Sequence, residues 1–204
     1  KGVKATLGMR FNYWAPGKFA DNAVADSSSP VLPAIREAYN QNSFRAGGLN
    51  WKVRLLPRLN VSFPVTENNV LYFNYGHSMR MPHPRFMYAS LDPQYQDRSF
   101  LSSLGNPNLN PEVNISYEVG YKTLVGSRIG WTINAFNNNR FDYIVSRRVI
   151  TTDATGRPVT KTMYINQDYA KIIGVETQLN ARINNSFSSF FNGSYQQARG
   201  KSNS

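Results

Sequence analysis

Few residues in this chain have the type and spacing to do chemistry. His77 and His83 are metal-ligand types, but they flank a strand end and a loop without a recognisable ligand spacing. Glu118 and Glu176 are the types for a general acid–base pair; both fall on the polar side of alternating segments, where inward charges facing Arg and Lys on neighbouring strands are the plainer account. No nucleophile elbow or phosphate-binding loop accompanies them. The chain has no cysteine, which removes disulfides and thiolate metal or redox sites. We therefore expect no enzyme, no metal and no cofactor. What remains is a short run, Arg80, Met81, His83, Arg85, Phe86, Met87 and Tyr88, just beyond a strand. Arg and aromatics are enriched at binding hot spots, so these are the candidate ligand contacts. The competing role is packing of their loop onto a rim.

The net charge is +11, from 23 Lys and Arg against 12 Asp and Glu. Basic residues are scattered singly, without a stripe or a nucleic-acid-binding motif, so no nucleic acid partner is expected.

The elements that position these groups are strands. Val3, Ala5, Leu7, Met9, Phe11 and Tyr13 alternate with Lys4, Thr6, Gly8, Arg10 and Asn12. A period of two means strand. The pattern recurs in Trp51 to Val65, in Asn69 to Ser78, in Ile115 to Tyr121 and from Ile129. There Ile129, Trp131, Ile133 and Ala135 alternate, and the strand continues irregularly through Phe141 to Val145, with a break at Asn137 to Arg140 that suggests a bulge. It returns in Tyr164 to Ala181 and in Phe187 to Gln196. Pro57 and Pro64 sit near strand ends, where a missing N–H is tolerated. Lys4, Arg10, Arg58, Asn74, Glu118, Lys122 and Glu176 fall on the polar face and are expected to face a lumen.

Mean hydropathy is −0.46, and no apolar run approaches the roughly 18 residues of a membrane helix. Barrel strands alternate, so this does not exclude a membrane. The turns at Thr66 to Asn69, Val125 to Arg128 and Asn184 to Ser186 are short, and Thr152 to Pro158 is a hairpin tip. In contrast, residues 15–50 and 81–111 are long, Pro-rich excursions, with one short helix expected at Leu32 to Tyr39. Short turns on one side and long loops on the other is the outer-membrane barrel arrangement, with the long loops extracellular. On this reading Val119→Arg damages the lipid face by about 2–4 kcal/mol, while Gly120→Arg alters the lumen.

The words Gly105-Asn106-Pro107-Asn108-Leu109-Asn110-Pro111-Glu112 and Ser116-Tyr117-Glu118-Val119-Gly120-Tyr121 resemble the signature that enters a late barrel strand of TonB-dependent outer-membrane receptors. Tyr75-Gly76 with Arg80 and Pro82, Leu56 to Pro64, and Tyr164, Asn166, Ala170 with Gly174-Val175-Glu176 resemble further words of that family, in a style similar to its Bacteroidetes members. The resemblance implies an all-β, antiparallel transmembrane β-barrel. Residues 1–204 would supply about seven strands of a roughly 22-stranded barrel, a fragment lacking the plug and the other strands. Asn106 to Glu112 is then a loop-to-strand structural element. The implied function is energised uptake of a scarce nutrient across the bacterial outer membrane. The implied partners are outer-membrane lipid and a TonB-type energising protein acting through the absent plug, with room for a surface lipoprotein. Two alternatives keep the strands. One is an outer-membrane barrel serving adhesion or a surface assembly. The other is a soluble all-β binding module, which needs the Val3, Leu7, Phe11, Ile115 and Val119 faces covered by protein, and the sequence offers no helices to cover them.

Overall fold

The computed structural model describes residues 2–91, 103–152 and 155–201. In chain order the elements are β1 (Lys4–Trp14), α1 (Lys18–Ala25), α2 (Pro33–Gln41), β2 (Phe44–Ala46), β3 (Leu49–Pro64), β4 (Asn69–Arg80), α3 (Pro84–Tyr88), β5 (Ser103–Leu104), β6 (Glu112–Val125), β7 (Ile129–Thr152), β8 (Pro158–Arg182) and β9 (Ser188–Lys201). The seven expected strands are the long ones, joined in sequence as an antiparallel meander. The two short strands complete a nine-stranded sheet, β2 on β3 and β5 parallel to β8.

Cross-strand partners share a face, so register sorts the side chains. One row runs Ala5, Val61, Phe73, Val119, Ala135, Val175 and Tyr195. The next, on the opposite face, runs Thr6, Asn60, Asn74, Glu118, Phe136, Gly174 and Gln196. Among the described residues no element covers the apolar row; Leu7 is 76% and Val119 53% exposed. A continuous apolar sheet face of this kind is what lipid covers in a membrane barrel. Among the described residues, no helix is long and apolar enough to cross a membrane.

Several local expectations are corrected. Pro57 lies inside β3, because that strand starts at Leu49. It pairs with Met9, and the ladder from β3 to β4 begins one residue later, at Arg58 opposite Gly76. The missing N–H thus coincides with the end of pairing on that side. The break in β7 falls later than Asn137 to Arg140: its register shifts lie between Arg140 and Ile144, with Asp142 at φ 61°. The last strand continues past Gln196 to Lys201. Gly120 is not open to a lumen. The Tyr72 ring leans across it from the neighbouring strand, and an added Cβ would lie 2.2 Å from Cζ of that ring.

The expected helix at Leu32 to Tyr39 is α2. Pro33 occupies its first turn, where a missing N–H costs nothing. The excursions 15–50 and 81–111 also contain α1 and α3, which alternation could not reveal. Beyond the bulge, β7 and β8 continue as a paired ribbon from Tyr143 to the tip, roughly 30 Å of extra strand.

Candidate functional site

At the loop end of the sheet the described parts of the two excursions fold into a cap with its own small core. Ala23, Val24, Val31, Tyr39, Leu91, Leu104 and Met163 are buried together, with Leu32, Ile35, Val149 and Ile165 packed against them. The core therefore joins α1, α2, the second excursion and the β7–β8 ribbon. Its polar centre is Arg36. The guanidinium donates to the carbonyls of Val31 (3.0 Å), Ala23 (3.3 Å), Val24 and Ser29 (2.9 Å), and to Ser29 Oγ (2.9 Å). Ala23 and Val24 lie in the last turn of α1, whose carbonyls lack helical partners. Asp21 ties the cap to the sheet, accepting from Tyr39 OH at 2.7 Å and from the Asn50 side chain at 2.8 Å. Burial, then the bond to Asp21, pushes the Tyr39 phenol well above its usual range.

The segment from Gly105 to Pro111 is the joint between cap and sheet. Leu109 is fully buried, as are Pro107 and Pro111. Gly105 N–H donates to Ala89 C=O at 2.7 Å; an added Cβ would meet Ala89 N at 2.6 Å, so only glycine lets the two backbones approach. The Asn106 side chain donates to Tyr164 C=O at 2.9 Å and accepts from Asn108 N–H at 2.9 Å. Lys52, buried on β3, donates to Asn108 Oδ1 at 2.7 Å and to its carbonyl at 3.1 Å. These bonds consume the polar groups of the segment, which makes it structural and leaves it little capacity to hold a ligand.

The seven candidate contacts divide. His83 caps α3, its Nδ1 accepting from Arg85 N–H at 3.2 Å, with Pro84 in the first turn. Met87 is buried, Phe86 packs against Tyr164 with the rings tilted by 40° and centroids 4.5 Å apart, and Tyr88 OH donates to Pro16 C=O at 2.6 Å. Those three pack the cap, which is the competing role stated above. Arg80, Met81, His83 and Arg85 are exposed. Arg80 and Arg140 line one recess of about 280 Å³ beneath the cap.

The polar face continues below. Lys4, Asn74, Glu118 and Lys122 share a recess of about 430 Å³. Glu176 lies two strands from Glu118, with Asn134 between them: Asn134 Nδ2 is 3.0 Å from Glu118 Oε1 and 3.5 Å from Glu176 Oε2. Asn74 donates to Glu118 at 3.1 Å. The expectation that these carboxylates face Arg or Lys is corrected: amides hold them. Lys122 lies instead over the Tyr72 ring, 5.3 Å from its centroid. Arg10 turns to Asn12 Oδ1 at 2.9 Å, and Arg58 stands between Gly8 and Gly76. Sequence reading missed Arg54, which meets Asp142 at 3.5 Å, and Arg140; their signal was the face parity of Arg58 and Asn138. Among the described residues no three His, Cys, Asp or Glu side chains cluster to hold a metal ion.

The family profile described as "TonB dependent receptor-like, beta-barrel" matches residues 2–204. No curated protein sequence matches the chain. Among solved structures it is similar to the siderophore receptor PirA from Acinetobacter baumannii, at 18% identity over 71% of this chain and 23% of that one, with TM-score 0.54. It is also similar to the FrpB iron transporter from Neisseria meningitidis, at 14% identity over 98% of this chain and 23% of that one, with TM-score 0.59. A third likeness is to the copper transporter OprC, at 13% identity over 98% of this chain and 26% of that one, with TM-score 0.54. The chain spans about a quarter of the length of these structures, and at these identities the likeness is one of fold.

Proposed function

The chain belongs to the TonB-dependent receptor β-barrel family, and from that membership we propose that it forms a capped section of a receptor for energised uptake of a scarce nutrient. Members of this family are receptors and transporters of the bacterial outer membrane, not enzymes. The observation that carries the reading is the two-faced sheet, with an uncovered apolar row beside a polar row holding Asn74 and Glu118. Lipid takes the first face and the wet interior of a barrel the second. The cap then stands at the extracellular mouth, where Arg80, Met81, His83 and Arg85 are offered to a ligand. Energy reaches such a receptor from the inner-membrane proton gradient, through a TonB-type protein and an interior plug segment.

The test is fractionation of the full-length protein, with heat-modifiability on a detergent gel, followed by growth on limiting nutrients with and without a protonophore. Outer-membrane recovery plus a receptor-dependent, protonophore-sensitive growth advantage is the expected result. Recovery in the outer membrane without any uptake phenotype favours an adhesive or structural barrel. A protein soluble without detergent overturns the membrane reading.

A further inference from the structure

We infer that the polar face directly beneath the cap is a docking zone for an anionic cargo carrying several carboxylate or phosphate groups; this rests on the uptake reading above. Arg10 on β1, Arg54 and Arg58 on β3, Arg80 on β4 and Arg140 on β7 all fall on the polar face. They occupy three successive rows of the sheet. Rows on one face are about 6.6 Å apart and strands about 4.8 Å apart, so the guanidinium groups share a patch roughly 15 by 20 Å.

Their compensation is sparse. Glu112 and Asp142 are the carboxylates in those rows, and Asp142 is engaged by Arg54 at 3.5 Å. Arg10 is held by an amide oxygen of Asn12, and Arg140 approaches Tyr143 OH at 3.4 Å. Arg58 has no hydrogen-bond or carboxylate partner among the described residues, and Arg80 stands in register with Glu112 without forming an ion pair with it. Arg58 is flanked in register by Gly8 and Gly76, so no side chain from either neighbouring strand walls it off. Asn114 Oδ1, beside Arg140, is buried without a partner among the described residues.

The zone is also continuous. The recess that holds Arg80 and Arg140 shares Asn114 and Arg140 with a larger one of about 510 Å³ lower on the face, where Glu118 and Glu176 end the cationic stretch. An Arg fork matches carboxylate and phosphate oxygens bidentately, and uncompensated cations on a recessed wall raise the local concentration of anions. A bare metal cation meets repulsion here and, among the described residues, no ligand cluster.

The test uses the purified full-length receptor titrated with citrate, ferric citrate and pyrophosphate, against a neutral hydroxamate iron chelate and cupric ion. At least one anion should bind, weakening about tenfold from low to physiological salt. The double variant Arg58→Gln with Arg80→Gln should lose about another tenfold through its missing forks, while the neutral chelate is unaffected. Both side chains are exposed, so the variant should keep its heat-modifiable fold. The inference is overturned if no anion binds, if the neutral chelate or cupric ion binds more tightly than every anion, or if the double variant changes nothing. A receptor that is membrane-bound and protonophore-sensitive but indifferent to anions sinks this inference alone. Absence from the outer membrane sinks the uptake reading as well.

Discussion

Asn166 and Asn110 hold each other from both ends. Asn166 Oδ1 accepts from the Asn110 N–H at 2.8 Å, and Asn166 Nδ2 donates to the Asn110 carbonyl at 3.0 Å and to that of Asp142 at 2.8 Å. One side-chain amide thus acts as a ladder rung between the loop joint and the bulge of β7. Asn166→Ala leaves three backbone groups without this partner, at a cost of about 1–3 kcal/mol for each that stays dry. Asn166→Asp keeps the bond from Asn110 N–H and loses both donations. We expect both variants to open the cap to protease in the full-length receptor, with the alanine variant cut faster. Unchanged nicking of both means the joint does not hold the cap.

Arg36 offers a second handle on the cap. It satisfies carbonyls at the end of α1 and in the following turn, and Lys has one ammonium where Arg has a fork. Arg36→Lys should therefore fail to replace it, and Arg36→Ala should destabilise the cap by at least about 2 kcal/mol. The strands below do not depend on this residue. The expected result is faster hydrogen exchange confined to α1 and α2, and equal loss of protection across β6 to β9 would contradict it.

How much of this was legible follows from where the physics is local. Alternation at Val3 to Tyr13 and Ile115 to Tyr121 reports burial on one face directly, so the strands and their two sides could be read from residue types. The motif words Gly105 to Glu112 and Tyr164 to Asn166 pointed to a family, but their mutual contact reaches across the whole of β6 and β7 and both of the connections that follow them, and no local pattern encodes it. α1 was invisible because Lys18 to Ala25 makes only two turns, too short for a helical period to declare itself, and its ends are tied by Arg36 and Tyr39, distant in sequence. For the same reason Phe86, Met87 and Tyr88 could be named as a chemically capable run, while their use in packing required the positions of Tyr164 and Pro16.

Tyr39 gives the cap a pH dependence at the alkaline end. Its phenol, buried and bonded to Asp21, holds its proton more tightly than the ordinary value of 10.0. The folded cap therefore outcompetes the unfolded chain for that proton. Its contribution is complete below about pH 10 and declines as pH rises above it. Tyr39→Phe should lower stability at neutral pH through the lost Asp21 bond and flatten the alkaline decline. Protease nicking of the cap at neutral pH and above pH 10 reads both effects. A parental protein no more sensitive at high pH than the variant would remove Tyr39 as the cause.

Val119 and Gly120 are neighbours in the chain and opposites in the sheet. Val119 stands in the apolar row between Phe73 and Ala135, uncovered by any described element. An arginine there meets lipid, at a cost of about 2–4 kcal/mol near the bilayer midplane. Gly120 lies on the polar face beneath the Tyr72 ring, so any side chain must first displace that ring. Gly120→Ala is therefore expected to destabilise the barrel although it adds one methyl group and no charge. The two costs have different remedies. Tyr72→Ala should relieve Gly120→Ala, because it removes the ring that clashes, and should do nothing for Val119→Arg, whose cost is desolvation. Folding yields of the full-length receptor into lipid vesicles, for the single and double variants, measure the coupling as a double-mutant cycle. Coupling at Gly120 alone is the expected pattern. If Tyr72→Ala rescued Val119→Arg equally, the two residues would have to share a face, and the inside–outside assignment of the sheet would fall.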